Sequence, residues 1–350
     1  MSSTLDQGAE MSLLHIQNLH LSMHSFEGDA HVLNGVELKI EKGQIWGLAG
    51  ETGCGKSITG LSISRLVNTP PARYLDGQIL FNGRDVLKLK ESDMRQLRGR
   101  EIGMIFQDPT TNLNPVLRVG EQIADVAYEI GRIAPEILGL TATARASQRK
   151  KAAQKLGVDM LERVGIANAA QRARDYPHQF SGGMRQRVLI AMALVGQPKL
   201  LIADEPTTAL DVTLQAQVLK LLSEVVSSSG TAVLMITHNL GAVAQICSHV
   251  AVMYAGHVVE SGLTQEVLSH PQHPYTRALI AALPKPGIQR GTLSTLPGRV
   301  PNLIDPPPGC RFAPRCAQAS HECTLAVPAL VGKSDTHRIA CVHVQPEVFA

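Results

Sequence analysis

Two stretches of this chain carry residue types that bind phosphate, and they lie far apart in the sequence. The stretch GETGCGKS at 50–57 matches the pattern GxxxxGK[ST]. The stretch FSGGMRQR at 180–187 holds a serine, two adjacent glycines and two arginines. Because the first is already a complete phosphate-binding loop, the second raises the question of why one chain needs another set of phosphate ligands.

The loop at 50–57 has the context that phosphate binding requires. A strand pattern, QIWGLAG, precedes it and a helical pattern, KSITGLSISRLV, follows it. The glycines let backbone N–H groups point inward around phosphate oxygens, and the helix presents its N-terminus to the anion. We expect Lys56 to reach the β- and γ-phosphates and Ser57 to ligate Mg²⁺. The alternative is a glycine-rich turn that binds nothing.

A second strand pattern, KLLIADEP, ends in two acids. The carboxyl ends of parallel strands are where such sheets place their ligands. Asp204 is therefore a candidate for holding Mg²⁺ through water, and Glu205 for polarising the attacking water as a general base. Two solvated surface acids are the alternative, which the phosphate loop disfavours.

Gln107 and His238 also follow strand patterns, EIGMIF and AVLMIT. A neutral amide can touch Mg²⁺ or the attacking water and still move away. A histidine in this place can hydrogen-bond a γ-phosphate and orient the catalytic water. Either residue alone would be interpreted as an ordinary surface side chain, but each ends a strand whose neighbours are predicted to bind nucleotide.

The elements that must position these residues alternate along the chain. Strand and helix patterns alternate at 13–106 and again at 183–262, which predicts parallel βαβ units. Between them, from 108 to about 180, strand patterns vanish and amphipathic segments such as VGEQIADVAYEI predict a helical insert. Prolines multiply from Leu283 onward and indicate a linker into a short tail with little regular structure.

Composition limits the class of protein. The chain has 350 residues, 44% of them hydrophobic, and a formal net charge of +3, which is too small to argue for nucleic acid or a membrane surface. The first residues lack the pattern of a signal peptide, and the longest apolar run, VLIAMALV, is far short of a membrane helix. We therefore expect a soluble, cytoplasmic protein.

Four of the six cysteines crowd the last part of the chain. Their spacing is C-x5-C-x6-C-x17-C, at Cys310, Cys316, Cys323 and Cys341. In a reducing cytoplasm this clustering favours a metal site over disulfides, although free structural thiols are the alternative. The tail lacks the C-x2-C pair of a zinc ribbon, and such loose spacing suits a [4Fe–4S] cluster, with zinc as the alternative. We expect three nearby arginines, at 311, 315 and 338, to offset the thiolate charge.

The tail is expected to have a structural or sensing role, because nothing in the sequence places it at the nucleotide site. The other two cysteines stand alone. Cys54 lies inside the phosphate loop and is interpreted as a small filler, with a redox switch as the alternative. Cys247 is predicted to lie in the core.

Together these motifs resemble, over nearly the whole chain, the ATP-binding subunits of ABC transporters. The order is Walker A at 50–57, Q-loop, signature at 180–187, Walker B at 200–205, D-loop ALD at 209–211 and His switch. The resemblance implies an α/β fold, an ABC-type P-loop ATPase with a mixed sheet core, a helical subdomain insert and a short cysteine-containing C-terminal tail. The predicted boundaries are 11–283 for the ATPase domain, about 108–180 for the helical subdomain, 181–196 for the signature helix and 284–350 for the tail.

In this family two subunits pack head to tail, so each signature caps the ATP held by the other subunit's phosphate loop. The resemblance thereby answers the opening question. It implies three catalytic residues, Glu205, His238 and Gln107. It implies Mg²⁺ contacts from Ser57, Gln107 and Asp204. It implies nucleotide contacts from Gly50, Glu51, Thr52, Gly53, Cys54, Gly55, Lys56, Ser57, Ile58, Gln107, Asp204, Ser181, Gly182, Gly183 and Asp211.

Finer resemblance points to the ATPases of bacterial dipeptide and oligopeptide importers. The segments HPYTRALIAALP and GCRFAPRCAQASHEC are similar to theirs, and nickel and glutathione importers share this subfamily. The resemblance implies ATP and Mg²⁺, a [4Fe–4S] cluster, a second ATPase subunit in a heterodimer, two transmembrane permease subunits and, indirectly, a periplasmic binding protein. It also implies a peripheral position on the cytoplasmic face of the inner membrane. Residues 107–120 are the candidate surface for the membrane subunits.

Two competing classes explain fewer motifs. A soluble ABC ATPase acting on nucleic acid or ribosomes would favour sustained heptads or two cassettes in one chain, so no nucleic-acid partner is expected. A P-loop kinase would leave the signature and D-loop unexplained. For the aromatic that stacks on adenine in this family, the candidates are Phe26 and His31.

Overall fold

Two β-sheets and a helical region make up the computed structural model, which describes residues 12–108, 111–208, 210–283, 296–334 and 336–344. The strands are β1 Leu14–Ser25, β2 Gly28–Ile40, β3 Ile45–Ala49, β4 Ala72–Phe81, β5 Arg84–Asp85, β6 Ile102–Ile105, β7 Leu200–Asp204, β8 Ala232–Thr237, β9 His249–Tyr254, β10 His257–Leu263, β11 Val331–Gly332 and β12 Arg338–Ile339. The α-helices are α1 Lys56–Ile63, α2 Glu91–Leu97, α3 Val119–Ile133, α4 Ala146–Arg163, α5 Ala169–Arg172, α6 Gly182–Leu194, α7 Val212–Ser229, α8 Leu240–Ile246, α9 Thr264–Ser269 and α10 Pro274–Ala281.

The larger sheet is mixed, with strand order β11-β12-β10-β9-β3-β8-β7-β6. Strands β9, β3, β8, β7 and β6 run parallel to one another, and the pairs β9–β10, β10–β12 and β12–β11 are antiparallel. Every residue of β3, β7 and β8 is buried, because their sequences are continuous apolar runs covered on both faces. The mixed sheet predicted from the motifs is confirmed.

A second, antiparallel sheet has the order β2-β1-β4-β5. Its long strands alternate buried and more exposed residues, as in the burial of Leu14 and Ile16 around a half-buried His15. The strand patterns at 13–49 and 78–83 were predicted, but not their separation into two sheets. The alternation of apolar and polar residues shows which face of a strand is buried. It does not show which strands pair, because pairing depends on contacts between residues distant in the sequence.

Helices α3 to α6 follow one another between β6 and β7, the region where the helical insert was predicted. Their apolar faces meet in one buried cluster that includes Ile123, Ala127, Leu161 and Phe180. Helix α6 continues into β7, so the signature region is joined directly to the strand with the two acids. The precise domain boundaries remain predictions.

The tail adds the strands β11 and β12 to the edge of the larger sheet, beside β10. The linker residues 284–295 lie outside the described residues. None of the described helices is long and apolar enough to cross a bilayer.

Candidate functional site

The phosphate loop lies between β3 and α1 and depends on its glycines. Gly50 has φ +152°, and a Cβ there would lie 2.2 Å from the carbonyl oxygen of Met253. The ammonium of Lys56, 5% exposed, donates to the carbonyl oxygens of Gly50 and Glu51 at 2.9 Å each. A cation inside a ring of backbone groups is the arrangement that receives phosphate oxygens.

The predicted magnesium ligands meet at the end of β7. Ser57 Oγ donates to Asp204 Oδ1 at 3.0 Å, although the two residues are 147 positions apart. Burial raises the pKa of Asp204, the bond from Ser57 opposes that rise, and the charge of Glu205 adds to it. A hydroxyl and a carboxylate oxygen side by side fit Mg²⁺, which prefers hard oxygen ligands.

Glu205 is held by three side chains. His238 Nδ1 lies 3.1 Å from Oε1, Thr208 Oγ1 donates to Oε2 at 2.7 Å, and Gln107 Nε2 lies 3.4 Å from Oε2. Burial opposes ionisation, yet the hydrogen bonds from Thr208 and His238 lower the pKa of Glu205 below its usual range. The carboxylate is therefore ionised at neutral pH and able to accept a proton.

Two features of this cluster were not predicted. Glu205 has φ +47°, a left-handed backbone conformation that is uncommon for residues other than glycine. Thr208 was missed altogether. Its only sequence signal is its position three residues after Glu205, in a turn where its N–H also bonds the Glu205 carbonyl at 3.2 Å.

The signature residues begin α6. Ser181 caps the helix by accepting from the N–H of Met184 at 3.4 Å. Ser181 and Gly182 are exposed, and a Cβ on Gly182 would meet nothing within 4 Å. Gly183 is buried, and a Cβ there would lie 2.8 Å from Leu214. The open side of this helix start therefore faces outward.

Asp211 caps α7 by accepting from the N–H of Leu214 at 2.9 Å, so the D-loop and the signature meet at one leucine. The first D-loop residue, Ala209, lies outside the described residues. In the described part of the chain, no hydrogen bond joins residues 181–183 to the loop at 50–57. Within the described residues, the two sets of phosphate ligands are therefore not bonded to each other.

The two adenine-stacking candidates differ in environment. Phe26 is fully exposed. His31 is half-buried, and its backbone N–H donates to the carbonyl of Leu303 at 2.8 Å while its carbonyl accepts from Arg311 at 3.2 Å. The tail segment therefore covers the strand beside His31.

The four tail cysteines line one small cavity, together with His273, Phe312 and His343. Burial raises the pKa of Cys310, Cys316 and Cys341, and the neighbouring Cys323 raises each of them further. In the residues that the structure describes, no group of three His, Cys, Asp or Glu side chains is placed to hold a metal ion. The cysteines thus share a cavity without converging on one point.

The prediction that the three tail arginines offset the charge of the cysteine thiolates is not supported, because each arginine has other partners. Arg311 donates to the carbonyl of Ala255 at 2.5 Å, and Arg338 pairs with Glu37 at 2.7 Å. Arg315 forms a bidentate pair with Glu51, at 2.7 and 3.1 Å.

This last pair also contradicts the expectation that the tail lies apart from the nucleotide site, since Glu51 belongs to the phosphate loop. Spacing within the tail could not reveal a contact between residues 264 positions apart. Of the remaining cysteines, Cys54 is fully buried, burial raises its pKa, and Cys247 is buried as predicted. A buried thiol with a raised pKa is typical of an inert filler.

Comparison with known families gives two matches. The family model described as "ABC transporter" matches residues 33–208. The model described as "Oligopeptide/dipeptide transporter, C-terminal region" matches residues 259–323.

The sequences of individual relatives align with this chain over most of their length. The chain is 47% identical over 339 residues to the probable D,D-dipeptide transport ATP-binding protein DdpD of Escherichia coli strain K12, covering 97% of this chain and 98% of that one. It is 44% identical over 329 residues to the dipeptide transport ATP-binding protein DppD of Bacillus subtilis strain 168, covering 94% of each.

Among solved structures, one similar fold is the dimeric, post-hydrolysis ATP-binding cassette MJ0796 bound to ADP and Pi. Its TM-score is 0.59 at 24% identity, and the match covers 72% of this chain and 98% of that one. At this identity the similarity establishes the fold alone.

Proposed function

Since this chain belongs to the ABC transporter family of ATP-binding proteins, we propose that it is the ATPase subunit that powers import of di- and oligopeptides. The observation that carries the proposal is the similarity to dipeptide transport ATP-binding proteins over at least 94% of both chains. The match of residues 259–323 to the oligopeptide/dipeptide C-terminal region supports the same cargo class. Nickel, glutathione or another small solute is the alternative cargo.

The chain is an ATPase, and we propose roles for the residues that its site brings together. Lys56 and the loop amides bind the phosphates, and Ser57 and Asp204 hold Mg²⁺, which neutralises charge on the phosphate oxygens. Glu205 accepts the proton of the attacking water. Thr208 and His238 lower the pKa of that carboxylate and keep it ionised, and Gln107 also contacts it.

We propose that ATP joins two ATPase subunits. The exposed start of α6 at Ser181 and Gly182 has N–H groups able to bind a γ-phosphate, and they make no hydrogen bond to this chain's own loop. The cassette MJ0796 is dimeric with ADP and Pi bound, which supports this arrangement. Loss of the γ-phosphate after hydrolysis removes contacts across the interface and lets the subunits separate. The second subunit is proposed to be a different ATPase.

The transmembrane partners are two permease subunits fed by a periplasmic binding protein, with the ATPase on the cytoplasmic face of the inner membrane. We place their contact at residues 107–120, of which 109 and 110 lie outside the described residues. A wide groove next to this segment supports that position. It is lined by residues of α3, α4 and α5, among them Tyr128 and Lys150, and by Leu117 of the segment itself.

The tail is proposed to hold a [4Fe–4S] cluster, with zinc as the alternative. Support for the proposal comes from the lining of one cavity by all four cysteines, because thiolates are the ligands that hold iron–sulfur clusters and structural zinc. Within the described residues no three of these side chains are close enough together to hold a metal ion, so either group would require the cysteines to move closer to one another. When bound, the cluster would cross-link the tail. A brown protein with matched iron and sulfide would support it, and colourless protein with stoichiometric zinc would refute it.

Reconstitution tests the transport function. The chain is co-expressed with candidate permease subunits and a candidate second ATPase, and the complex is placed in liposomes. We expect a peptide-loaded binding protein to stimulate ATP hydrolysis, and Lys56→Ala to abolish the stimulation because the phosphates lose their cation. Stimulation by a nickel- or glutathione-loaded binding protein alone would overturn the peptide assignment, and failure to assemble with permeases would overturn the transport role.

A further inference from the structure

One tail residue reaches into the phosphate loop. The Arg315 side chain is 6% exposed and its guanidinium holds both carboxylate oxygens of Glu51. The same guanidinium donates to Tyr254 Oη at 3.2 Å and to the carbonyl of Pro297 at 2.9 Å, so its position is fixed from several sides. A buried bidentate pair of this kind has a defined geometry, unlike an exposed ion pair.

A second contact holds the same loop residue through its backbone. The N–H of Glu51 donates to Tyr275 Oη at 2.9 Å. The Tyr275 ring packs against Phe312 and Tyr254, with ring centroids 5.3 and 4.7 Å apart. Phe312 belongs to the tail, so the tail contacts Glu51 directly through Arg315 and indirectly through this aromatic cluster.

These two tail residues lie between two of the four cysteines. Residues Cys310 to Cys316 form a short segment containing the 3₁₀ turn Ala313–Arg315. Backbone bonds fix it, from Ala313 N–H to the Cys310 carbonyl at 2.9 Å and from Cys316 N–H to the Ala313 carbonyl at 3.2 Å. Whatever holds Cys310 and Cys316 together therefore also sets the position of the guanidinium.

We propose that Arg315 is a positioning residue for the phosphate loop, and that through it ATP binding and the state of the four-cysteine site are thermodynamically linked. The link rests on the proposed nucleotide site, while the identity of the metal is not part of it. If one conformation of residues 310–316 binds ATP more tightly, bound ATP must shift the equilibrium toward that conformation. The factor by which the affinity differs and the factor by which the equilibrium shifts are the same.

The charge of Glu51 gives the sign of the effect. ATP brings several negative charges to a loop that already contains this carboxylate, and Arg315 neutralises it. Without Arg315 the free carboxylate repels the phosphates. We therefore expect Arg315→Gln to raise the Kd for ATP about tenfold, within the range usual for coupled sites, and to leave kcat at saturating ATP nearly unchanged. Arg315→Lys keeps the charge but not the bidentate geometry and should recover part of the affinity.

The matched control is Arg338→Gln. It removes another ion pair of the tail, to Glu37 at 2.7 Å, and among the described residues Arg338 has no hydrogen bond or ion pair to the phosphate loop. The full-length chain is used, and the Kd is measured with fluorescent ATP. Equal effects of the two variants would mean that the tail merely needs to be attached, and no effect of Arg315→Gln would mean that the pair is inert; either result overturns the proposal.

The double variant Glu51→Gln/Arg315→Gln separates charge from attachment. If the free carboxylate causes the loss, removing it should restore most of the ATP affinity, even though the link to the tail is now broken. A double variant as weak as Arg315→Gln would contradict this explanation.

The effect of ATP on the four-cysteine site is measured by cysteine labelling. After metal chelation, the labelling rates of Cys310 and Cys316 are followed by mass spectrometry with and without ATP. We expect ATP to slow labelling in the unmodified chain and in Arg338→Gln, but not in the double variant. ATP-independent labelling in the unmodified chain would refute the linkage. Because the readout needs no metal, it stays valid even if the purified protein proves to hold none, which would refute only the cluster assignment.

Discussion

The nucleotide site and the cysteine tail are built in opposite ways. In the first, short motifs at strand ends each fix their own local geometry, and the sheet brings the ends together, as with Ser57 and Asp204. In the second, residues of loose spacing are held by partners elsewhere in the chain, such as Glu51 for Arg315 and Glu260 for His337 at 2.8 Å. A site made of local motifs can be located in a sequence, whereas a site made of distant contacts requires a structure.

The two regions also differ in how they treat charge. The nucleotide site keeps Glu205 ionised through hydrogen bonds from side chains around it. In the tail, burial raises the pKa of Cys310, Cys316 and Cys341. One region is therefore prepared for chemistry before its ligand arrives, and the other favours the thiolate form only once a cation is bound.

The largest effect that tests this contrast is expected from Glu205→Gln. The amide cannot accept the proton of the attacking water, so ATP turnover should fall by about 100-fold or more. ATP binding should persist and a closed dimer should accumulate, as seen by size-exclusion chromatography. The control Glu224→Gln removes an exposed partner of Lys220 on α7 and should keep normal turnover. Normal hydrolysis by Glu205→Gln would remove this residue from its proposed role.

A smaller effect is expected from Cys323→Ser, which alters the buried member of the cysteine set. Bound metal should be lost, and the melting temperature should fall by about 4 °C, the shift that roughly 1–2 kcal/mol produces in a large domain. The matched control is Cys247→Ser, a buried cysteine outside the tail. Its metal content should not change. If both variants kept their metal, the tail site would have to be built from other residues.

The smallest effect concerns pH and His257, on the strand β10. Burial, together with the charge of Arg311 in the tail, lowers the pKa of His257 to about 3. The unfolded histidine titrates near 6.5, so between pH 6.5 and 3 the unfolded chain binds the extra proton and stability falls as the pH falls.

His257→Asn should reduce that slope of unfolding free energy by up to one proton, about 1.4 kcal/mol per pH unit. Denaturant titrations from pH 7 to 5 measure it, with the exposed His178→Asn as control. An unchanged slope in His257→Asn would show that the docked tail does not keep this histidine neutral.

Sequence was enough for the parts of the molecule in which neighbours in the chain are neighbours in space. Continuous apolar runs identified β3, β7 and β8. Spacing selected Lys56, Asp204 and Glu205, which the fold brings near one another and whose roles stay predictions. The turn residue Thr208 and the second sheet were missed, because side-chain reach and strand pairing are not periodic signals. Arg315 was assigned to the thiols because they are its sequence neighbours, and its fold neighbour Glu51 lies 264 positions away.

The strand pair at the end of the tail has one more consequence. β12 pairs with Glu260 and Ser261 of β10, and β11 lies outside it. Without them, β10 would present open N–H and C=O groups to solvent, which is a template for pairing with another chain. The tail that contacts the phosphate loop thus also covers the edge of β10. We expect a chain truncated before β11 to aggregate under conditions in which the full-length chain does not.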